Sequence, residues 1–188
     1  MTMSAPTKLP GTDRDNVADD SCSGDVSTRF SGTILTVRDC IRCMPMTDGD
    51  SIEWRLHLES QPERVYQTIA TAAGRESFWA ESAQAASGSI DFRFPNGTEH
   101  RSRIVTADPP DRFAVEYFGA IATFTLEPTD SGGTDLTLRH GGPDRAARGE
   151  LAAGWVSVLL ALKAAVDHGI DLRNHDSTRT WDAGYVDN

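Results

Sequence analysis

Between Ile52 and Glu59 the chain alternates strictly: Ile52, Trp54, Leu56 and Leu58 share one phase and Glu53, Arg55, His57 and Glu59 the other. That period of two predicts a strand with one buried face. Ser60-Gln61-Pro62-Glu63 then carries the marks of a helix start, with Ser60 as the expected N-cap, Pro62 in the first turn and Glu63 closing a capping box. Val65 and Ile69, with Tyr66 and Ala70 beside them, supply that helix with an inward stripe. A break near Ala73-Gly74 leads to a second short helix carrying Phe78 and Trp79.

After Gly88 the period returns to two. Ile90, Phe92 and Phe94 alternate with polar residues up to the Pro95-Asn96-Gly97 turn, and Arg101 to Thr106 precede Asp108-Pro109-Pro110-Asp111. Phe113, Val115 and Tyr117 form the face of the next strand, and Gly119 reads as a hairpin turn. Ala122, Phe124 and Leu126 follow, then Leu136, Leu138 and His140, stopped by Gly141-Gly142-Pro143. From Asp144 to about His168 the spacing changes to three and four: Leu151, Trp155, Val158, Leu159, Leu162 and Val166 predict one long amphipathic helix, with Gly169 as its terminator. Strand, two short helices, about five antiparallel strands and a long helix make an α+β domain, in which a curved sheet wraps the last helix.

The rest of the chain divides around that pattern. Residues 1–28 are rich in Ser, Thr, Asp, Gly and Pro without an apolar period and are expected to be a disordered tail. Residues 29–50, with Thr33-Ile34-Leu35-Thr36-Val37, are expected to be a lead-in strand and loop, leaving 51–188 as the folded domain. Ile170–Asn188 is polar apart from Trp181, Tyr185 and Val186.

With 18 Lys+Arg against 28 Asp+Glu, the net charge of −10 argues against nucleic acid or an anionic membrane surface as the main partner. Only Lys8 and Lys163 are lysines, a bias of GC-rich coding rather than of function. No secretory leader is visible, and Leu151–Val166, interrupted by Gly154, Ser157 and Lys163, is shorter than a bilayer span, so a soluble, cytoplasmic protein is expected. Cys40-Ile41-Arg42-Cys43 lacks the thioredoxin-like setting that redox chemistry needs. With Cys22 it lacks the further ligands that structural zinc needs, and His57, His100, His168 and His175 show no metal-ligand spacing. No metal and no cofactor is expected.

Several segments, in their order, resemble one superfamily. They are Gln61-Pro62-Glu63-Arg64-Val65-Tyr66, Phe78-Trp79, Ala107-Asp108-Pro109-Pro110-Asp111-Arg112, Phe124-Thr125-Leu126-Glu127-Pro128, Gly133 to His140, and Gly154-Trp155 with its helix. Over roughly residues 51–188 the chain resembles the START-like, helix-grip (SRPBCC) proteins, in the branch related to the activator of a heat-shock-protein ATPase, with kinship to enediyne self-resistance proteins. The resemblance implies a cavity between the long helix and the concave face of the sheet, holding an apolar, polycyclic molecule. Superfamily members include carriers, polyketide cyclases and sequestering proteins, so it leaves the reaction open.

Within that frame the candidate ligand-binding residues are Trp79, Phe92, Phe94, Phe113, Tyr117, Phe124, Leu138, His140, Trp155 and Leu159. Trp79 and Trp155 are expected to close the two ends of the cavity. His140, on the inward phase of its strand beside Gly141-Gly142, and Tyr117 are the polar groups expected to orient a ligand. His140 is also the candidate general base if the protein is a cyclase, aromatase or hydrolase. Three readings stay open at this point: sequestration of an apolar small molecule, catalysis through His140, or an interaction module with a filled core.

Overall fold

The computed structural model describes residues 51–142 and 146–187. The expected N-terminal tail and lead-in strand, and with them Cys22, Cys40 and Cys43, lie outside the described residues.

Seven strands form one antiparallel sheet: β1 (Ile52–Leu58), β2 (Ser82–Ala86), β3 (Ser89–Arg93), β4 (Glu99–Asp108), β5 (Arg112–Tyr117), β6 (Ala120–Pro128) and β7 (Thr134–His140). Their order is β1-β7-β6-β5-β4-β3-β2, so every neighbour after the first pair is a sequential hairpin, and β1 closes the row beside β7. Register places Trp54, Leu138, Phe124 and Phe113 in one line across the sheet, and Ile52, His140, Ala122 and Val115 in the next. All therefore point to the same, concave face. β2 is an addition to the expected strands. Its Ser82-Ala-Gln-Ala-Ala sequence has little β propensity, and it is held by pairing with β3 through a two-residue turn, Ser87-Gly88, both at positive φ.

Helix α1 (Pro62–Ala70) turns into the short α2 (Ala72–Arg75). The N-cap of α1 is Gln61, with no side-chain bond, and Pro62 takes the first helical position. The capping box expected at Ser60 and Glu63 therefore does not form. Ser60 is recruited elsewhere: its hydroxyl donates to the Val166 carbonyl and its backbone N–H to Asp167 Oδ1, 3.0 Å away. Below α2, Arg75 is completely buried, with Nη1 and Nη2 donating to the carbonyls of Ile69 and Ala83.

The expected start of the long helix, Asp144, lies outside the described residues; α3 (Arg148–Lys163) runs on through one π turn (Ala164–His168) to Gly169 at φ 68. Neither Gly154, Ser157 nor Lys163 interrupts it. At 21 residues and a mean hydropathy of 1.5, Arg148–His168 is long and apolar enough to cross a bilayer, against the expectation from its interrupted sequence. In this structure it is instead the helix that fills the sheet. Trp155, Leu159, Leu162 and Val166 are buried, and Lys163 Nζ reaches both the His57 carbonyl (2.7 Å) and Asp167 (3.0 Å). Asp167 in turn accepts the backbone N–H groups of Glu59 and Ser60, which pins the end of the helix to the exit of β1.

Candidate functional site

One end of the concave face is not filled by side chains. A cavity of about 380 Å³ lies there, within the range of small-molecule sites. Its floor is the end of β5 with Trp79, its side is the β3–β4 hairpin with Phe94 and Asn96, and its roof is the first half of α3 from Ala147 to Val158. Phe118 in the β5–β6 turn and Trp181 from the C-terminal segment complete the rim.

Local sequence explains each wall. The β5–β6 connection is a two-residue turn, Phe118-Gly119, with φ of 44° and 82°. Gly119 adopts that conformation freely, whereas Phe118 is held there against its preference. His100 holds it: the Phe118 ring stacks on His100 at 4.4 Å and 16°, and the Phe118 N–H donates to His100 Nε2 at 3.3 Å. Since His100 accepts at Nε2, it is neutral, in keeping with burial lowering its pKa. Phe94 lies between Phe92 (6.0 Å, 7°) and Phe118 (6.4 Å, 29°), continuing the stack along the rim.

The roof contains a glycine in mid-helix. A Cβ built at Gly154 meets no atom within 4 Å, so no neighbouring group requires glycine there. The space that side chain would enter is the cavity, which Gly154 lines.

Tyr117 joins the floor to a relay of buried hydrogen bonds. Trp79 Nε1–H donates to the Tyr117 hydroxyl (3.1 Å), and Trp155 Nε1–H donates to His140 Nδ1 (3.2 Å). With Nδ1 accepting, His140 carries its proton on Nε2 and donates it to the Tyr117 carbonyl, 2.9 Å away. Burial lowers the His140 pKa, the bond to Tyr117 offsetting only part of that. Burial likewise pushes the Tyr117 phenol up, so its oxygen keeps its hydrogen; that O–H is the one donor of the relay with no acceptor inside it, on a residue that lines the cavity.

Of the ten sequence candidates, Trp79, Phe94, Tyr117 and Trp155 lie on the cavity wall. Phe92, Phe113, Phe124, Leu138 and Leu159 are buried behind it, supporting the wall through contacts such as Trp79–Phe92 (5.0 Å) and Phe124–Trp155 (5.8 Å). His140 is also behind the wall, fully buried, with both ring nitrogens committed, a geometry without a free lone pair for general-base work. Trp79 and Trp155 do not close opposite ends. Their rings touch at 5.5 Å and 60°, because the loop after α2 and the middle of α3 converge on one point of the concave face.

Sequence reasoning did not select Phe118, Glu150, Gly154 or Trp181. Trp181 comes from residues 170–187, which fold back as a strap. Arg173 Nη2 donates to the Glu76 carbonyl, His175 Nδ1 meets Glu81 (2.6 Å), Asn96 Nδ2 donates to Asp182 (2.7 Å) and Ser157 Oγ donates to the Val186 carbonyl. Trp181 Nε1–H donates to Glu150 Oε1 at 3.3 Å, laying the indole over the mouth. A lone Trp in an otherwise polar segment was the available signal. Among the described residues no group of three or more His, Cys, Asp or Glu is placed to hold a metal ion.

A row of antiparallel hairpins curved round one C-terminal helix, with two short helices after the first strand, is shared with many solved structures. A protein from Staphylococcus saprophyticus superposes with a TM-score of 0.58 at 21% identity, covering 65% of this chain and 96% of that one. The fold is the START-like helix grip. The Aha1 dimer from Colwellia psychrerythraea has the same helix grip (TM-score 0.57, 22% identity, 63% of this chain and 97% of that one). So does DynU16, a protein of the dynemicin biosynthetic locus (TM-score 0.57, 19% identity, 65% of this chain), of which this chain spans only 49%. No family model matches the sequence, and no curated protein does. At these identities what is shared is the helix-grip fold itself.

Proposed function

We propose that this protein binds an apolar, polycyclic small molecule in the cavity between sheet and α3, and sequesters it in the cytoplasm of a bacterium making or meeting such a compound. The observation that carries the reading is Gly154. A glycine in a helix interior costs roughly 1 kcal/mol relative to alanine, and here no packing contact within 4 Å demands it. Space kept open above an aromatic floor at that cost is space for a ligand. The wall suits a planar guest, with Trp79 and Tyr117 below, Phe94 and Phe118 beside, and Trp155 and Trp181 above. The Tyr117 O–H offers a single donor for a carbonyl, ether or phenol oxygen. A structural neighbour encoded in the dynemicin biosynthetic locus shares the fold and supports a setting in secondary metabolism; self-resistance is the role we propose within it.

The test is to incubate the protein with a panel of polycyclic aromatic natural products and follow both partners by size exclusion and intact mass. Unchanged ligand co-eluting with wild type, and absent from Gly154→Trp, is expected. Ligand of altered mass would make the protein an enzyme, cleaved or adducted protein would make protection sacrificial, and retention of nothing would overturn the pocket reading.

A further inference from the structure

Resting on the ligand-binding reading above, we propose that the pocket selects ligands carrying a cationic amine on their aromatic body, held at the mouth between Glu150 and Trp181. Among the described residues the charges lining that mouth have one sign. Glu150 is the one ionisable acid or base on the wall besides the phenol of Tyr117, and neither Lys, Arg nor His lines the cavity among the described residues. A second carboxylate stands at the rim: Asp182 follows Trp181 in the chain and is bonded to Asn96, itself a wall residue. Two cations close by in the described chain have partners of their own. Arg148 Nη2 donates to the Ser51 carbonyl, and Arg179 pairs with Asp176 at 3.3 Å.

Aromatic faces surround these carboxylates. The electron-rich ring faces of Trp, Tyr and Phe attract a cation within about 6 Å, indole most strongly. Trp181 donates its N–H to Glu150 Oε1, which fixes a ring and an anion side by side. Aromatic wall and adjacent carboxylate together are complementary to an ammonium group and not to a carboxylate or phosphate. The first turn of α3, whose N-cap Ala147 offers no side chain to its N–H groups, opposes Glu150 in part through its dipole. That partial opposition, and the exposure of Glu150, set the expected preference at modest size.

Three probes of one shape separate the possibilities: 2-naphthylmethylammonium, 2-naphthylmethanol and 2-naphthoate, titrated by calorimetry at pH 7 and low salt. The amine is expected to bind about fivefold or more tighter than the alcohol, with the carboxylate weakest. In the surface double variant Glu150→Gln/Asp182→Asn that ratio should fall at least about threefold, and in wild type it should shrink as salt is added. Equal binding of all three, or a preference for the carboxylate, overturns the selectivity while leaving the pocket as a binding site. Binding of none overturns both. A preference for the amine that survives the double variant undiminished overturns the role given to the two carboxylates.

Discussion

Replacing Gly154 separates a pocket from a core by the sign of two effects. In α3 the substitution Gly154→Ala removes the conformational freedom of glycine from a helix interior, worth about 0.8–1 kcal/mol, and the new methyl meets nothing within 4 Å. For a domain of this size that should raise the midpoint of thermal unfolding by about 2–5 °C. Leu is nearly as good a helix former as Ala, so Gly154→Leu should also be stabilising. Binding should move the other way. Each ligand carbon displaced from the apolar wall forfeits about 0.8 kcal/mol, so Ala should weaken affinity about fourfold and Leu, with four side-chain carbons, about two-hundredfold. Differential scanning calorimetry of the free proteins and calorimetric titration of a retained ligand measure the two. If the roof were solid core, either side chain would be forced into occupied space and stability would drop by about 1–3 kcal/mol. Loss of stability in Gly154→Ala, or higher stability with unchanged affinity in Gly154→Leu, refutes the reasoning.

Other outcomes follow from the buried relay and its surroundings. Tyr117→Phe leaves the Trp79 indole N–H without its acceptor and should cost about 1–3 kcal/mol in urea unfolding, besides weakening ligands that bear an oxygen. Arg75→Leu strips the carbonyls of Ile69 and Ala83 of their donors and should destabilise by about 2–4 kcal/mol, measured the same way. Burial lowers the folded-state pKa of His100 and His140 below the ordinary 6.5. The unfolded chain then binds more protons, so their contribution is whole above pH 6.5 and drains away as the pH falls below it towards the folded values. Urea midpoints at pH 7 and pH 5 should show that loss, and His140→Gln should reduce its pH dependence.

Where periodicity was strong, sequence and structure agree, and the exceptions have identifiable causes. β1, β3 and β5–β7 lie where alternation places them, since one buried face forces the period. Trp54 keeps the inward phase, opposite Leu138, yet is 40% exposed, because among the described residues β1 is the sheet's edge. β2 left no hydrophobic signal, since Ala85 and Ala86 on it are exposed and pairing alone defines it. Ser60 was a plausible cap by residue type, but the distant Val166 and Asp167 compete for it, and no local pattern reveals partners more than a hundred residues away. The candidate site was legible in part of its aromatic wall, where Phe94, Tyr117 and Trp155 follow from inward phase and Trp79 from the aromatic pair after the first helix. It was not legible at its roof and mouth. Gly154 reads in sequence as an interruption of an apolar run, and Trp181 as a stray residue; only the tertiary path of the strap brings them over the same space. His140 shows the reverse case, a residue whose type suggests chemistry and whose hydrogen bonds assign it to support.

On the proposed ligand-binding reading, the strap also sets how fast a guest can come and go. Residues 170–187 pair with no strand of the sheet and are tied down by side-chain contacts at Glu76, Glu81, Asn96, Glu150 and Ser157. Such a segment opens at far lower free energy than the sheet beneath it. Exchange through the mouth therefore follows the lifting of Trp181 rather than any breathing of β3 to β6. In stopped-flow mixing, the observed rate should level off at high ligand concentration, at a ceiling fixed by strap opening and shared by chemically different guests. Ligands of equal affinity would then differ little in how quickly they enter, and residence time would belong to the protein as much as to the molecule it holds.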